Sequence, residues 1–158
     1  MLEIINGDIF DVFNTHKNGV CYLAHQCNCI TRDAKGLARD VFNKFPKANI
    51  YQNRCFERYI PGTIIVVDNI INIFGQREPG RPIYNGDLSK DRLNAFRNAL
   101  VVIASEIKEG TVLFPYKIGC GYGGGVWEEY FTELQQFSEV AQHLNIVIVH
   151  NTNLLPRK

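Results

Sequence analysis

Six short apolar runs punctuate the chain: Leu2 to Ile5, Val20 to Ala24, Thr63 to Val67, Ile70 to Phe74, Thr111 to Phe114 and Ile146 to Val149. Most are uniformly apolar rather than alternating, the pattern of strands covered on both faces. Between them, apolar positions recur at helical spacing: Leu37, Val41, Phe42 and Phe45; Leu93, Phe96, Leu100 and Ile103; Trp127, Tyr130, Phe131, Leu134 and Phe137. A one-sided stripe of this kind specifies an amphipathic helix. Asp87 and Ser89 offer N-caps to the second helix, Glu109-Gly110 a close for it, and Pro46 a stop for the first. Pro61-Gly62 reads as a turn, and Asp68-Asn69 sits between two apolar runs at hairpin spacing. Strands alternating with helices specify an α/β protein. The expected architecture is a three-layer α/β/α sandwich with a mixed, largely parallel central sheet.

Composition narrows the class. The 158 residues suit one domain spanning 1–158, and no linker or internal repeat divides them. Lys and Arg number 17 against 16 Asp and Glu, so no excess of positive charge drives non-specific binding to nucleic acid. No apolar run approaches the roughly 20 residues of a membrane span, and no signal peptide is read at Met1, so a soluble, cytoplasmic protein is expected. Five cysteines in apolar stretches suit a reducing compartment. The aspartates are dispersed, so neither a metal nor another cofactor is expected.

Chemistry concentrates in three segments. Gly119-Cys120-Gly121-Tyr122-Gly123-Gly124-Gly125 falls between a strand and a helix, where close backbone approach and free N–H groups make a phosphate cradle. It lacks the Lys-Ser/Thr ending of a P-loop, and a flexible turn is the plainer reading. His25-Gln26-Cys27-Asn28-Cys29 closes the second strand, followed by a polar loop and then Gly36-Leu37-Ala38 at the start of a helix. A strand end in an open α/β sheet is the usual place for a ligand, and Asn28 is suited to ribose hydroxyls. His25 is either a general base or a hydrogen-bonded structural histidine; Cys27 and Cys29 read as buried thiols more readily than as metal ligands. In Gly7-Asp8-Ile9, Asp8 is either an acceptor for an adenine amino group or a helix N-cap.

In this order and spacing, the segments resemble the macrodomain family of ADP-ribose-recognising modules. The matching pieces are Gly7-Asp8-Ile9, Asn28, Gly36-Leu37-Ala38, Asn72-Ile73-Phe74-Gly75-Gln76, and Pro115 through Trp127. The His-x-Cys-Asn segment and the Ile-Gly-Cys-Gly loop ending in Trp are similar to the branch of ADP-ribose-1''-phosphate phosphatases and terminal ADP-ribose glycohydrolases. The resemblance implies that Asp8 and Ile9 hold the adenine. It also implies that Gly36, Leu37 and Ala38, with Gly119, Cys120, Gly121, Tyr122, Gly123 and Gly124, cradle the diphosphate and distal ribose. Asn28 would bind the distal-ribose hydroxyls and Tyr122 would cover that ribose. The glycohydrolases of this branch use a lysine and an aspartate where this chain has Gln76 and Gly123, so a lysine adduct is excluded.

The expected function is therefore an ADP-ribose-binding module that hydrolyses a group from the distal ribose of an ADP-ribose derivative. The 1''-phosphate phosphatase and the ADP-ribosyl hydrolase types are both open. Water attack is expected, with His25 or Asp33 as base, Asn28 on the ribose and the loop N–H groups stabilising developing charge. The alternatives are a reader of ADP-ribose without turnover and an unrelated α/β nucleotide- or RNA-binding domain. The expected partner is ADP-ribose or an ADP-ribosylated substrate, with no membrane and with nucleic acid only as the modified substrate. Arg77 and Arg81 lie in a loop expected at the adenine side or the pocket entrance, as solvated residues or as contacts to a further phosphate. Leu154 to Lys158 carry no functional signal.

Overall fold

The computed structural model describes residues 2–52 and 59–153. Cys55 and the 154–158 tail lie outside the described residues. In chain order the elements are β1 (Leu2–Asn6), α1 (Ile9–Thr15), β2 (Cys21–Asn28), α2 (Gly36–Lys44), a short 3-10 turn (Pro46–Ala48), β3 (Ile64–Val67), β4 (Ile70–Gln76), α3 (Ser89–Glu106), β5 (Gly110–Pro115), α4 (Trp127–Val140) and β6 (Leu144–His150). The strands form one sheet in the order β1-β6-β5-β2-β4-β3. All neighbours are parallel except β3 and β4, which pair as the hairpin turned by Asp68 and Asn69, both at positive φ (50° and 67°). That geometry is the primed hairpin turn that Asp and Asn tolerate best among residues with side chains.

Helices cover both faces. On one, α3 and α4 bury Phe96, Leu100, Ile103, Leu134 and Phe137 against Ile71, Ile73, Val112 and Ile146. On the other, α1 and α2 place Phe10, Val41 and Phe42 against Leu23, Phe74 and Val147. The three-layer α/β/α sandwich with a mixed, largely parallel sheet is thus the observed fold. No helix among the described residues is long and apolar enough to cross a membrane.

Several boundaries differ from the pattern-based reading, each for a physical reason. The second strand does not stop at Ala24, nor β4 at Phe74, because their polar residues pair with each other across the ladder. His25 lies opposite Asn72, and Asn28 opposite Gln76 across an irregularity at Cys27. His25 Nε2 meets Asn72 Oδ1 at 2.6 Å and Gln26 Nε2 donates to Gln76 Oε1 at 2.7 Å, so these groups offset one another's burial along that seam, while Gln26 Oε1 is buried without a partner. The first helix carries no long apolar stripe and is started by Asp8, whose Oδ1 accepts from the N–H groups of Phe10 (2.9 Å) and Asp11 (3.2 Å).

Asp87 is not an N-cap of α3. The cap position is Leu88, whose N–H donates back to Asp91 Oδ2 at 2.9 Å, while Asp87 turns inward. Gly110 does not close α3 either. The helix ends at Glu106, and Gly110 opens β5 at φ +110°, where an added Cβ would lie 2.5 Å from the Val20 carbonyl oxygen. Both the backbone conformation and the space there demand glycine. Gly110→Ala is expected to cost at least about 2 kcal/mol, lowering Tm by about 5 °C or more at this chain length; a calorimetric scan against the unchanged protein checks it.

Candidate functional site

Because β1, β6, β5, β2 and β4 run parallel, their C-terminal ends lie along one edge, and the loops that follow them flank the place where an open α/β sheet forms its ligand cleft. The cleft begins at Gly7-Asp8, where Gly7 N–H is held by the His150 carbonyl at 3.1 Å, and runs past the ends of β5 and β2 to Gln76. Its distinguishing property is a surplus of backbone donors. The glycine loop folds on itself through Cys120 N–H to Lys117 O, Gly124 N–H to Gly121 O and Gly125 N–H to Gly119 O. Among the described residues the N–H groups of Gly119, Gly121, Tyr122 and Gly123 have no acceptor. The first turns of α2 and α4 add more, since neither Lys35 nor Val126, at the two cap positions, supplies a side-chain cap. Unsatisfied N–H groups at helix starts, with the positive end of the helix dipole, bind anions.

Glycine is required within the loop by close packing. A Cβ at Gly119, which has φ +77°, would meet the buried Tyr130 ring at 2.6 Å, and one at Gly123 would meet the Gly119 carbonyl oxygen at 2.6 Å. Gly124, at φ +73°, packs on Pro82, so the β4–α3 loop leans on the glycine loop. β1 with Asp8, the expected adenine side, is at the far edge of the sheet from β4 and this loop. Arg77 is tied down, with Nη2 donating to the Asn85 carbonyl at 3.1 Å and Nε 3.9 Å from Glu78, whereas Arg81 is exposed. Tyr122 stands 57% exposed at the loop tip.

The structure sorts the remaining candidates. Asn28 ends β2, 8% exposed, and its Oδ1 accepts from Ile30 N–H (3.0 Å) and Thr31 N–H (2.8 Å). The carbonyl oxygen is therefore committed to the turn into the β2–α2 loop. Asp33 is exposed on that loop, its N–H held by Thr31 Oγ1 at 3.2 Å, just ahead of Gly36, Leu37 and Ala38 in the first turn of α2. Ile9 is buried in α1, so what it offers a ligand is its backbone. Cys120 is half-buried in the glycine loop, and burial raises its thiol pKa to about 11, which keeps it un-ionised. Cys27 and Cys29 are buried thiols, and the described residues contain no metal-binding cluster of His, Cys, Asp or Glu.

His25 is corrected. It is wholly buried inside the sheet, beneath the Phe42 ring and hydrogen-bonded to Asn72, and cannot reach water in the cleft. Of its two readings, the structural one is what the fold contains. Burial lowers its pKa from 6.5 to about 4 against the opposing pull of the Asn72 bond, so it stays neutral.

One cluster carried no motif. Arg92 of α3, 1% exposed, places Nη1 on the carbonyls of Gly80 (2.6 Å) and Gly123 (3.1 Å), and Nη2 on Asp87 Oδ2 (2.8 Å) and the carbonyls of Glu78 (3.2 Å) and Arg81 (3.3 Å). Asp87, 2% exposed, also accepts from the N–H groups of Arg77 (2.8 Å) and Glu78 (3.0 Å). Burial alone would raise the Asp87 carboxyl, but those three hydrogen bonds and the guanidinium charge hold it below the ordinary carboxylate value. A signal existed in the sequence: Arg92 falls four residues before Phe96, on the apolar stripe that continues to Ala99 and Ile103, where a solvated arginine has no place.

A six-stranded mixed sheet between two helical layers, with its free backbone donors at the strand ends, is the macrodomain fold. It is shared with the macrodomain of DarG from Mycobacterium tuberculosis (TM-score 0.72, 22% identity, 94% of this chain and 97% of that one). The macrodomain of DarG from Thermus aquaticus is as similar in shape (TM-score 0.73, 20% identity, 94% and 97% of the two chains), as is a protein of unknown function from Bacteroides thetaiotaomicron (0.73, 22%, 95% and 98%). Among curated proteins, the chain is similar to an ADP-ribose 1''-phosphate phosphatase of Debaryomyces hansenii, 24% identical over 94% of this chain and 99% of the relative. No family model matches the sequence.

A buried histidine held neutral has a measurable consequence. Its folded pKa lies below the unfolded one, so the stabilisation is complete above pH 6.5 and is lost as pH falls toward 4. At about 1.4 kcal/mol for each unit of displacement, the loss approaches roughly 3 kcal/mol. Urea unfolding at pH 7, 5.5 and 4.5 is expected to show this decline, and His25→Gln to remove it while lowering stability at pH 7.

Proposed function

We propose that the cleft binds ADP-ribose and that the protein hydrolyses a substituent from its distal ribose. One observation carries the reading: four N–H groups of the glycine loop are without an acceptor, at the same strand-end edge of the sheet as the uncapped start of α2. A diphosphate needs many donors, and neutral donors with helix dipoles hold it in a chain of net charge +1. The adenine lies at Asp8 and Ile9, the diphosphate between the first turn of α2 and the glycine loop, and the distal ribose beside Asn28 under Tyr122. The similarity to the Debaryomyces hansenii phosphatase supports a 1''-phosphate as the group removed.

With His25 buried, Asp33 is the remaining titratable side chain of the pair expected to serve as base. Its carboxylate takes a proton from water as the oxygen attacks the 1''-phosphorus, and the bond from phosphorus to the ribose oxygen breaks. The ribose oxygen takes up a proton, leaving ADP-ribose and inorganic phosphate, while the loop N–H groups stabilise charge on the phosphoryl oxygens. A second reading, recognition without turnover, is favoured by Gln76 and Gly123 at the lysine and aspartate positions of the resembled glycohydrolases. Gln76 is fully engaged in hydrogen bonds to Gln26 and to the carbonyls of Glu78 and Gly80.

Phosphorus NMR on ADP-ribose-1''-phosphate with metal-free protein separates the readings. Growth of inorganic phosphate, reduced at least a hundredfold by Asp33→Asn, is the expected result; shifted diphosphate resonances without new phosphate would leave the reader, and unchanged spectra would reject the ligand. Asn28→Ala is a poor probe because it strips the loop of an acceptor for two N–H groups, at about 1–3 kcal/mol. Asn28→Asp keeps that acceptor and sets a negative charge beside an anionic ligand, so it is expected to fold and to weaken ADP-ribose binding more than tenfold by calorimetry.

A further inference from the structure

We propose that Arg92 is the positioning residue of the ligand cradle, fixing the glycine loop from outside through the Gly123 carbonyl. The inference rests on the ADP-ribose reading only for the identity of the ligand. A buried guanidinium and a buried carbonyl both need partners, so an arrangement that pairs them is strongly preferred over one that leaves them apart; both Nη1 and Nη2 of Arg92 are paired in this way, and its Nε is buried without a partner. Here one guanidinium serves two loops. Gly80, Glu78 and Arg81 belong to the β4–α3 loop and Gly123 to the glycine loop, and Asp87 supplies the compensating charge from within the first of them. Pro82 against Gly124 closes the same junction by packing.

The bond to Gly123 decides which way the loop's donors are used. With that carbonyl drawn to Arg92, and Gly124 and Gly125 donating inside the loop, the N–H groups of Gly121, Tyr122 and Gly123 stay unpaired within the protein. A side chain at Gly123 cannot share this arrangement, since its Cβ would sit 2.6 Å from the Gly119 carbonyl oxygen. The loop of this protein is accordingly a cradle of bare backbone, braced by an arginine on α3, rather than a carrier of its own carboxylate. Lysine cannot substitute, because a single ammonium on a flexible stem does not span carbonyls on two loops and a carboxylate as a planar fork does.

The test is Arg92→Lys, which keeps the charge opposite Asp87 and removes the fork. In nitrogen-15 NMR of the ligand-free protein, the Gly121, Tyr122 and Gly123 amide resonances are expected to shift and broaden while those of Val112 and Leu113 in β5 stay in place. By calorimetry, ADP-ribose is expected to bind at least tenfold more weakly, while AMP, which lacks the distal ribose and second phosphate, changes less than twofold. Undisturbed loop amides, or equal weakening of both ligands with a general loss of Tm, would overturn the proposal. Should Arg92→Lys not fold, Asp87→Asn is subject to the same two measurements, with about a threefold effect on ADP-ribose alone expected. If the unchanged protein binds no ADP-ribose, the functional reading fails and the loop amides still decide the role of Arg92.

Discussion

A buried chain of polar contacts runs from the centre of the sheet into the loops of the cleft, and the site depends on it. It starts at Gln26 and Gln76 on the β2–β4 seam and passes to the Glu78 carbonyl, which Gln76 and Arg92 share. From Arg92 it reaches Asp87 and Gly123. Each member is costly to bury alone and inexpensive to bury paired, so the contacts stand or fall as a set. The Asp87–Arg92 pair is weak evidence for stability by itself, since desolvation offsets much of its attraction. Its effect is geometric: a carboxylate and a guanidinium that must find each other give the β4–α3 loop and the glycine loop one joint arrangement.

That arrangement explains how a chain with almost no net charge presents an anion site. Instead of lysines and arginines around a phosphate, the cleft offers backbone N–H groups at a tight loop and at helix starts whose capping side chains are missing. Such donors are fixed by the fold and need no ordering when a ligand arrives. Among the described residues, the one fully buried cation near the cleft, Arg92, is turned toward carbonyls and Asp87, and so shapes the site rather than charging it.

The chemistry that remains is sparse. Gln76 and Gly123 occupy positions where the resembled glycohydrolases carry a nucleophile and a carboxylate, His25 is sealed in the sheet, and the Cys120 thiol is un-ionised near neutrality. The hydrolysis proposed above would rest on positioned water and on electrostatic stabilisation from backbone donors, with Asp33 the one exposed carboxylate in the β2–α2 loop.

The sequence alone sets the alternation of strands and helices, the Asp68-Asn69 hairpin, and the loop at Gly119 to Gly125, because apolar periodicity, turn residues and glycine clusters act locally. It also held both readings of Asp8 and His25, and local pattern could not choose between them. Asp8 is observed as the cap of α1, and His25 is locked to Asn72, 47 positions away in the chain. Only the tertiary structure decided that β2 and β4 continue through polar residues, since each of those residues is affordable only beside its partner on the neighbouring strand. For the same reason Asp87 looked like a cap, and the place of Arg92 on an apolar stripe did not name its partners. Their roles come from carbonyls on two loops that are brought together by the sheet order, and no spacing along the chain encodes that meeting.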